Sequence, residues 1–445
     1  MKHAAILFSL ALAYASSAAA QSAWTLEQCL QHASEHNIQV QKSRISEQEA
    51  EQSLLQARAA LFPTLSASMS QTVGYRPFQE TVSMTQNGMV VNTDNRVTEN
   101  GSYGLNANWT LWDGGINRKT IEQQKLQARI AETSTAQSLN SIQEQIAQLY
   151  VQILYSVEAE RVNEKLAETA RKQLNRGQER YDVGDLSRAD VAQLESQLAQ
   201  AEYDVVNSQT QVASYKRQLK ELLQLDINEP FDIAETELED EAALNPVPDK
   251  TAIYEAALLT RPEIQAAQLQ ADAANLQLDI ARRGYYPTIG LNAGVGDSHY
   301  SASDDSYGTQ LKQNLNASIG LSVSVPIFDN RRNKTSVEKA KLQQTSAALD
   351  ILDKQIALGS TIENLWLQAS SAQQRFLAAR TAVQSQETNY ELINEQFQAG
   401  LKNIVDLLQA RDNLLQAQQN KLQSKYTTVL NVQLLRFYEG GQMSF

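Results

Sequence analysis

The chain has 445 residues, enough for two or three ordinary domains, and carries a net charge of −13. That charge argues against nucleic acid as a partner, and the single cysteine, Cys29, excludes internal disulfides and thiolate metal clusters. Glycine and proline are scarce (18 and 8) and aromatics make up 7%, which points to long helices around a modest core.

Residues 1–20 read as a cleavable export signal. Lys2 supplies the positive end, an apolar run covers 4–15, and Ala18-Ala19-Ala20 offers a small-residue cut before Gln21. That run is too short to cross a membrane, and no other stretch approaches the roughly 18 apolar residues a spanning helix needs. A membrane-spanning form of this chain would have to use strands.

Residues 24–58 read as helix, with Leu26, Leu30, Ala33, Ile38 and Val40 loosely on one face and Pro63 as the stop. A first strand follows. Leu65, Ala67, Met69, Val73 and Tyr75 alternate with Ser66, Ser68, Ser70, Thr72 and Gly74, with one polar break at Gln71. Residues 76–101, rich in Asn, Thr and Gly, read as a long loop. A second strand places Tyr103, Leu105, Ala107, Trp109 and Leu111 on one side and Asn106, Asn108 and Thr110 on the other. After the turn Asp113-Gly114-Gly115, only Gly177 interrupts a helical pattern that lasts to about Tyr181, roughly 100 Å of helix. A knuckle at 181–187 precedes a helix whose Val191, Leu194, Leu198, Ala201, Val205, Val212, Tyr215, Leu219 and Leu222 form a coiled-coil seam. Residues 226–250 are acidic, contain Pro230, Pro246 and Pro248, and read as a connector with little regular structure.

The first half then recurs. Residues 281–289 echo 57–65, Ile327-Phe328-Asp329 echoes Leu111-Trp112-Asp113, and Phe397-Gln398-Ala399-Gly400 echoes Tyr181-Asp182-Val183-Gly184. Ile289, Leu291, Ala293 and Val295 make a third strand, followed by a polar loop that takes in His299. The fourth strand, 315–325, alternates without exception: Leu315, Ala317, Ile319, Leu321, Val323 and Val325 against Asn316, Ser318, Gly320, Ser322 and Ser324. A tilted strand needs about 9–11 such residues to cross a bilayer. The organisation is therefore an export signal (1–20), a first repeat (21–225, hairpin 63–112, tip 181–187), a connector (226–250) and a second repeat (251–445, hairpin 287–326, tip 397–403).

Four membrane-type strands cannot seal themselves, because open sheet edges in hydrocarbon leave backbone groups unpaired. Closed bacterial barrels begin at about eight strands. Two chains would give a filled eight-stranded barrel and three a twelve-stranded one with a channel; the small polar inward residues favour the open version. Phe62, Trp109, Trp112, Tyr285, Tyr286 and Phe328 fall at the helix-proximal ends of all four strands, where an aromatic girdle at the membrane–water interface belongs. The structural alternative is packing at a sheet–helix junction. The helices, with narrow seams and faces of Gln, Ala, Ser and Glu, can pack side by side around a water-filled conduit.

The duplication, the two hairpins, and two glycine-containing knuckles each followed six residues later by aspartate resemble the TolC-like outer-membrane factors. These are exit ducts of tripartite efflux pumps and type I secretion systems, and the resemblance covers the whole mature chain. It implies a mainly α, homotrimeric fold in which a twelve-stranded outer-membrane barrel, four strands from each chain, continues into a long periplasmic helical barrel closed at its lower end. Its implied partners are a hexameric periplasmic adaptor, an inner-membrane pump and outer-membrane lipid, with no cofactor. The resemblance puts Asp406 at an acidic constriction and Gln409 at the place of a second acidic ring. It also places Asp190, Lys402 and Phe397 where an aspartate, an arginine and a tyrosine latch the tips. Lys402 lacks a bidentate fork and Phe397 cannot hydrogen-bond through its side chain, so a looser latch is expected. The exposed tip residues Val183, Gly184, Asp185 and Leu186, with Ala399, Gly400 and Leu401, would meet the adaptor. Without the resemblance, Gly184 and Gly400 read as helix caps and Asp190 and Asp406 as dipole partners of helix starts.

His32 and His36 lie four apart on a helix, a metal-capable spacing without a third ligand nearby, and a solvated face is the plainer reading. No phosphate-cradling loop, nucleophile elbow or zinc-protease motif is found, so an enzyme reading has little support. Two rival readings remain at this stage: an outer-membrane-anchored coiled-coil spacer with no through channel, and a soluble exported coiled-coil binder.

Overall fold

A computed structural model describes residues 23–78, 82–86, 89–93, 96–236, 238–301, 303 and 305–443; the export signal lies outside them. The first half runs α1 (Leu26–His36), α2 (Ile38–Ala59), β1 (Thr64–Tyr75), β2 (Val82–Gln86), β3 (Met89–Thr93), β4 (Val97–Trp112), α3 (Ile116–Asp182) and α4 (Arg188–Leu222). The second runs α5 (Lys250–Thr260), α6 (Pro262–Arg283), β5 (Thr288–Tyr300), α7 (Tyr307–Gln313), β6 (Asn316–Ser324), α8 (Arg332–Gln398) and α9 (Ile404–Glu439). The repeat extends to helix length. α1 and α5 have 11 residues each, α2 and α6 have 22, and α3 and α8 have 67.

Two spatial units cut across the halves. The helical unit takes residues up to Ser46, Ala131–Ala267 and everything from Ile351. Its main core gathers Ile146, Tyr150, Ile153, Leu219, Ile233 and Phe376, all essentially inaccessible to solvent. Cys29 belongs to this core, and burial pushes its thiol up to about 12. A second cluster forms around Ile253, Ile264, Ile362 and Leu435. The buried cations are matched. Arg261 meets Glu144 at 3.3 Å and Glu263 at 2.9 Å and stacks on Tyr438, and Lys425 lies 3.6 Å from Glu158 and 3.7 Å from Asp240.

Two expected helices are each broken once. The 24–58 helix divides at Asn37, and its counterpart in the second repeat divides at Arg261, both buried. Asn37 donates to the Leu222 carbonyl (2.9 Å) and accepts from the Gln39 and Val40 amides, so it ends one helix and starts the next. Pro262 occupies the first position of α6, where a missing N–H costs nothing. The connector is less irregular than its composition suggests: it holds a 3-10 turn (Asp240–Leu244) and a parallel bridge from Ile233 to Trp24.

The second unit, Glu47–Ile130 and Gln268–Asp350, contains an antiparallel sheet in the order β1-β4-β5-β6, and β2 pairs with β3 in a separate hairpin. The 76–101 segment is therefore not a plain loop. It carries that hairpin and the start of β4, which pairs from Tyr75–Val97 onward because both neighbouring strands supply ladder partners. β5 likewise runs on to Tyr300, so His299 sits in a strand. There it is buried between the Tyr103 and Tyr307 rings. One face of the sheet is apolar and bare, with Leu65, Met69 and Ile319 each about three-quarters exposed. The other carries Ser66, Asn106, Asn292 and Ser322. A bulge at Thr110/Trp112 breaks the alternation of β4: Trp112, not Leu111, pairs opposite Ile289 and so joins the apolar face. Among the described residues no helix is long and apolar enough to cross a membrane.

Candidate functional site

The two helical tips are built by the same local chemistry. α3 ends in a Schellman motif. Gly184, at φ +85°, donates to the Tyr181 carbonyl (2.9 Å), and Asp185 donates to that of Arg180 (2.8 Å). α8 ends alike. Gly400 (φ +73°) donates to Phe397 (3.0 Å) and Leu401 to Gln396 (2.8 Å). No atom lies within 4 Å of where a Cβ would stand at either glycine, so their positive φ alone favours glycine. The next helices start with Ser187 and Asn403 as N-caps, and Asp190 and Asp406 are the third residues of those helices.

Identical positions then serve different ends. Asp190 completes a capping box, accepting from the Ser187 amide (3.0 Å) and hydroxyl (2.7 Å). Asp406 receives its cap at the amide, from the Asn403 side chain (2.9 Å). Its carboxylate is left to pair with Lys402 at 3.6 Å, both about 40% exposed. Gln409 donates to Asn413 (3.0 Å). Within one copy, then, Lys402 meets Asp406 and Asp190 stays within its own cap. Val183 and Leu401 are 81% and 77% exposed, large apolar side chains at the points of the two tips.

Arg180, which the sequence alone did not single out, is a polar tie between the two tips inside one copy. It donates to the Phe397 carbonyl (3.2 Å), stacks over the Phe397 ring at 5.3 Å, and pairs with Asp185 at 3.2 Å. Phe397 takes part through its carbonyl and ring face, neither of which needs a tyrosine hydroxyl. Beneath this contact Leu194, Ile404, Leu407 and Leu408 form a small core, flanked by Leu174, Tyr390, Ile393 and Phe397. Burial raises the Tyr390 phenol above its ordinary value, and Gln173 donates to its oxygen at 3.0 Å.

At the other candidate region, Phe62, Trp109, Trp112, Tyr285, Tyr286 and Phe328 all remain exposed, most of all Phe328. The Trp109 indole donates to the Leu61 carbonyl (2.8 Å), and Trp112 meets Tyr286 edge-on at 6.3 Å. Asp113 and Asp329 begin the long helices in the same way, each accepting from the amide four residues on at 2.8 Å. Both turns pass through left-handed backbone: Gly114 and Gly115 in the first, Asn330 and Arg331 in the second. His32 and His36 stack 4.2 Å apart, and no cluster of three or more metal-ligating side chains forms among the described residues.

Set beside known proteins, the chain matches the outer membrane efflux protein family over residues 29–224 and 253–441, leaving out the whole acidic connector. It is 23% identical over 414 residues to the outer membrane efflux protein BepC of Brucella suis, covering 91% of this chain and 83% of that one. It is 25% identical over 416 residues to the outer membrane protein TolC of Escherichia coli, covering 91% and 80%. The solved structure of VceC from Vibrio cholerae superposes with a TM-score of 0.74 at 20% identity, covering 94% of this chain and 97% of that one. These relatives are channel proteins rather than enzymes. A mainly helical chain with one four-stranded antiparallel sheet, duplicated along its length and matched on both halves, belongs to the outer membrane efflux protein family and serves as an outer-membrane exit duct for efflux or secretion.

Proposed function

We propose that three copies of the chain pool their sheets into one twelve-stranded barrel in the outer membrane. The helical tips around Gly184 and Gly400 then gate the duct at its periplasmic end and receive a periplasmic adaptor that joins it to an inner-membrane pump. The observation that carries this is the four-stranded sheet itself. Its outer strands, β1 and β6, have no strand partner on their far edges among the described residues, and its apolar face is exposed. In hydrocarbon each unpaired backbone group costs several kcal/mol, so those edges must meet other copies. Three copies rather than two suit the small, uncharged side chains of the opposite face, which leave room for water.

The gate rests on Asp406. Its carboxylate is free of the helix cap, and three such groups drawn together at a constriction favour cations and repel one another. Gln409, one turn on, adds no charge. Asp190, Lys402 and Phe397 frame the tips, and Val183, Leu186 and Leu401 with Gly184, Asp185, Ala399 and Gly400 form the surface offered to the adaptor. The aromatic residues at the helix-proximal strand ends anchor the barrel at the periplasmic face of the membrane.

The test is the mass of the detergent-extracted protein together with ion conductance in planar bilayers. The duct reading expects three copies per particle and a cation-preferring conductance. A monomer refutes the shared barrel. A trimer that conducts no ions in any condition is the spacer instead.

A further inference from the structure

At the periplasmic ends of the strands lies a cavity of ≈ 580 Å³ that none of the roles above uses. Its walls are the Trp112 and Tyr286 rings, the Gly114–Gly115 turn, and the side chains of Arg118, Lys119, Arg282 and Arg283. We infer that this cavity binds the phosphate headgroup of an anionic glycerophospholipid from the periplasmic leaflet of the outer membrane. The inference rests on the outer-membrane placement of the sheet and goes beyond the proposed trimer and gate.

Three observations point the same way. The first is position. The bulge at Thr110/Trp112 pairs Trp112 with Ile289, so one wall of the cavity stands at the end of the apolar face, where headgroups would lie. The second is charge. Four cations line the cavity against two carboxylates, Glu122 and Asp279, in a chain that is acidic as a whole. Glu122 is engaged by Lys119 at 2.7 Å, but Asp279 stands 3.9 Å from Arg282, and Arg118 makes no ion pair among the described residues. Two guanidinium groups thus keep N–H donors suited to phosphate oxygens. Arg283 has a fixed task, donating to the Gly114 carbonyl and holding the turn that floors the cavity.

The third observation comes from the repeat. The turn equivalent to Gly114–Gly115 holds Asn330 and Arg331, the latter at φ +66°. A long side chain is uncommon in left-handed backbone, and here it adds a cation at the second strand–helix junction. With Arg332 and Lys334 following, the second half also carries cations where its long helix meets its strands. In this arrangement the phosphate sits against Arg118 and Arg282, the glycerol packs beside Trp112 and Tyr286, and the acyl chains run up the apolar face past Ile289 and Leu291.

The experiment is native mass spectrometry of the full mature chain released from detergent after incubation with equal amounts of phosphatidylglycerol and phosphatidylcholine. Retained phosphatidylglycerol in excess of phosphatidylcholine is expected, with a loss of about fivefold for each arginine removed in Arg118→Gln and Arg118→Gln/Arg282→Gln. Lys339→Gln, an exposed cation outside the cavity, should change nothing. Equal retention of the two lipids, or unchanged retention in both variants, overturns the inference. Displacement of phosphatidylglycerol by millimolar inorganic phosphate also overturns it, because the site would then be one for free phosphate. If the double variant fails to assemble, the wild-type lipid ratio and Arg118→Gln alone decide. The same spectra report the number of copies per particle, so failure here is distinct from failure of the shared barrel.

Discussion

Replacing Arg180 by alanine should loosen both tips, and the size of the effect follows from its three contacts. A hydrogen bond from a charged donor contributes about 1.5–3 kcal/mol net, and this one, at 3.2 Å, belongs at the lower end. Stacking on the Phe397 ring adds about 0.5 kcal/mol at a partly exposed site. The Asp185 pair adds little, since that carboxylate is 64% exposed. The total of about 2 kcal/mol corresponds to a roughly 30-fold rise in the local opening equilibrium. The Phe397 carbonyl accepts from both Arg180 and the Gly400 amide, so loss of the side chain acts directly on the second tip. Hydrogen exchange of the Gly400 and Leu401 amides should therefore accelerate about 30-fold in Arg180→Ala and by less in Arg180→Lys, while amides in the Tyr150 core stay unchanged. Acceleration below about threefold at both amides would refute the claim that Arg180 joins the tips.

Three further outcomes are expected. Lys402→Glu replaces the partner of Asp406 by a like charge, so resting conductance in planar bilayers should rise above wild type; an unchanged trace argues against a gate at this point. Gly400→Ala meets no neighbouring atom, so its cost is the left-handed backbone alone, about 1 kcal/mol, and tryptic cleavage at Lys402 should quicken accordingly. Burial, its largest influence, holds the Glu144 carboxyl above its ordinary value, while Arg261 and Tyr438 pull it down. A group raised in the folded state lends stability that is full below the unfolded value, about 4.3, and fades as pH rises through the folded one. Glu144→Gln should thus flatten the fall in melting temperature as pH rises above about 4.3; an unchanged slope would exclude Glu144 as its source.

Much of the architecture was legible because it is periodic. Strict alternation marks β6, a three-four seam marks α4, and the recurrence of Gly184 as Gly400 exposes the duplication. What escaped detection depends on partners far away in sequence. Asn37 breaks a helix because the Leu222 carbonyl waits for it, 185 residues on. The stretch before Tyr103 is strand because β1 and β5 flank it, although its Asn, Thr and Gly content suggests a loop. Alternation alone places Leu111 on the apolar face, and only the pairing with Ile289 shows the bulge that puts Trp112 there. Arg180 was invisible for the same reason: the residue it grips, Phe397, lies 217 positions on, and the bond it makes there is to a backbone carbonyl, which leaves no mark on the sequence.

The equal spans of α3 and α8, 67 residues each, limit how such a chain can change. One residue inserted into α3 alone would advance everything beyond it by about 1.5 Å and swing it through about 100°, carrying Arg180 off the carbonyl it grips. A matching insertion in α8 would restore the register. Indels in the two arms should therefore arise as correlated pairs across the lineage, whereas the segment between β1 and β4 is free to drift in length on its own.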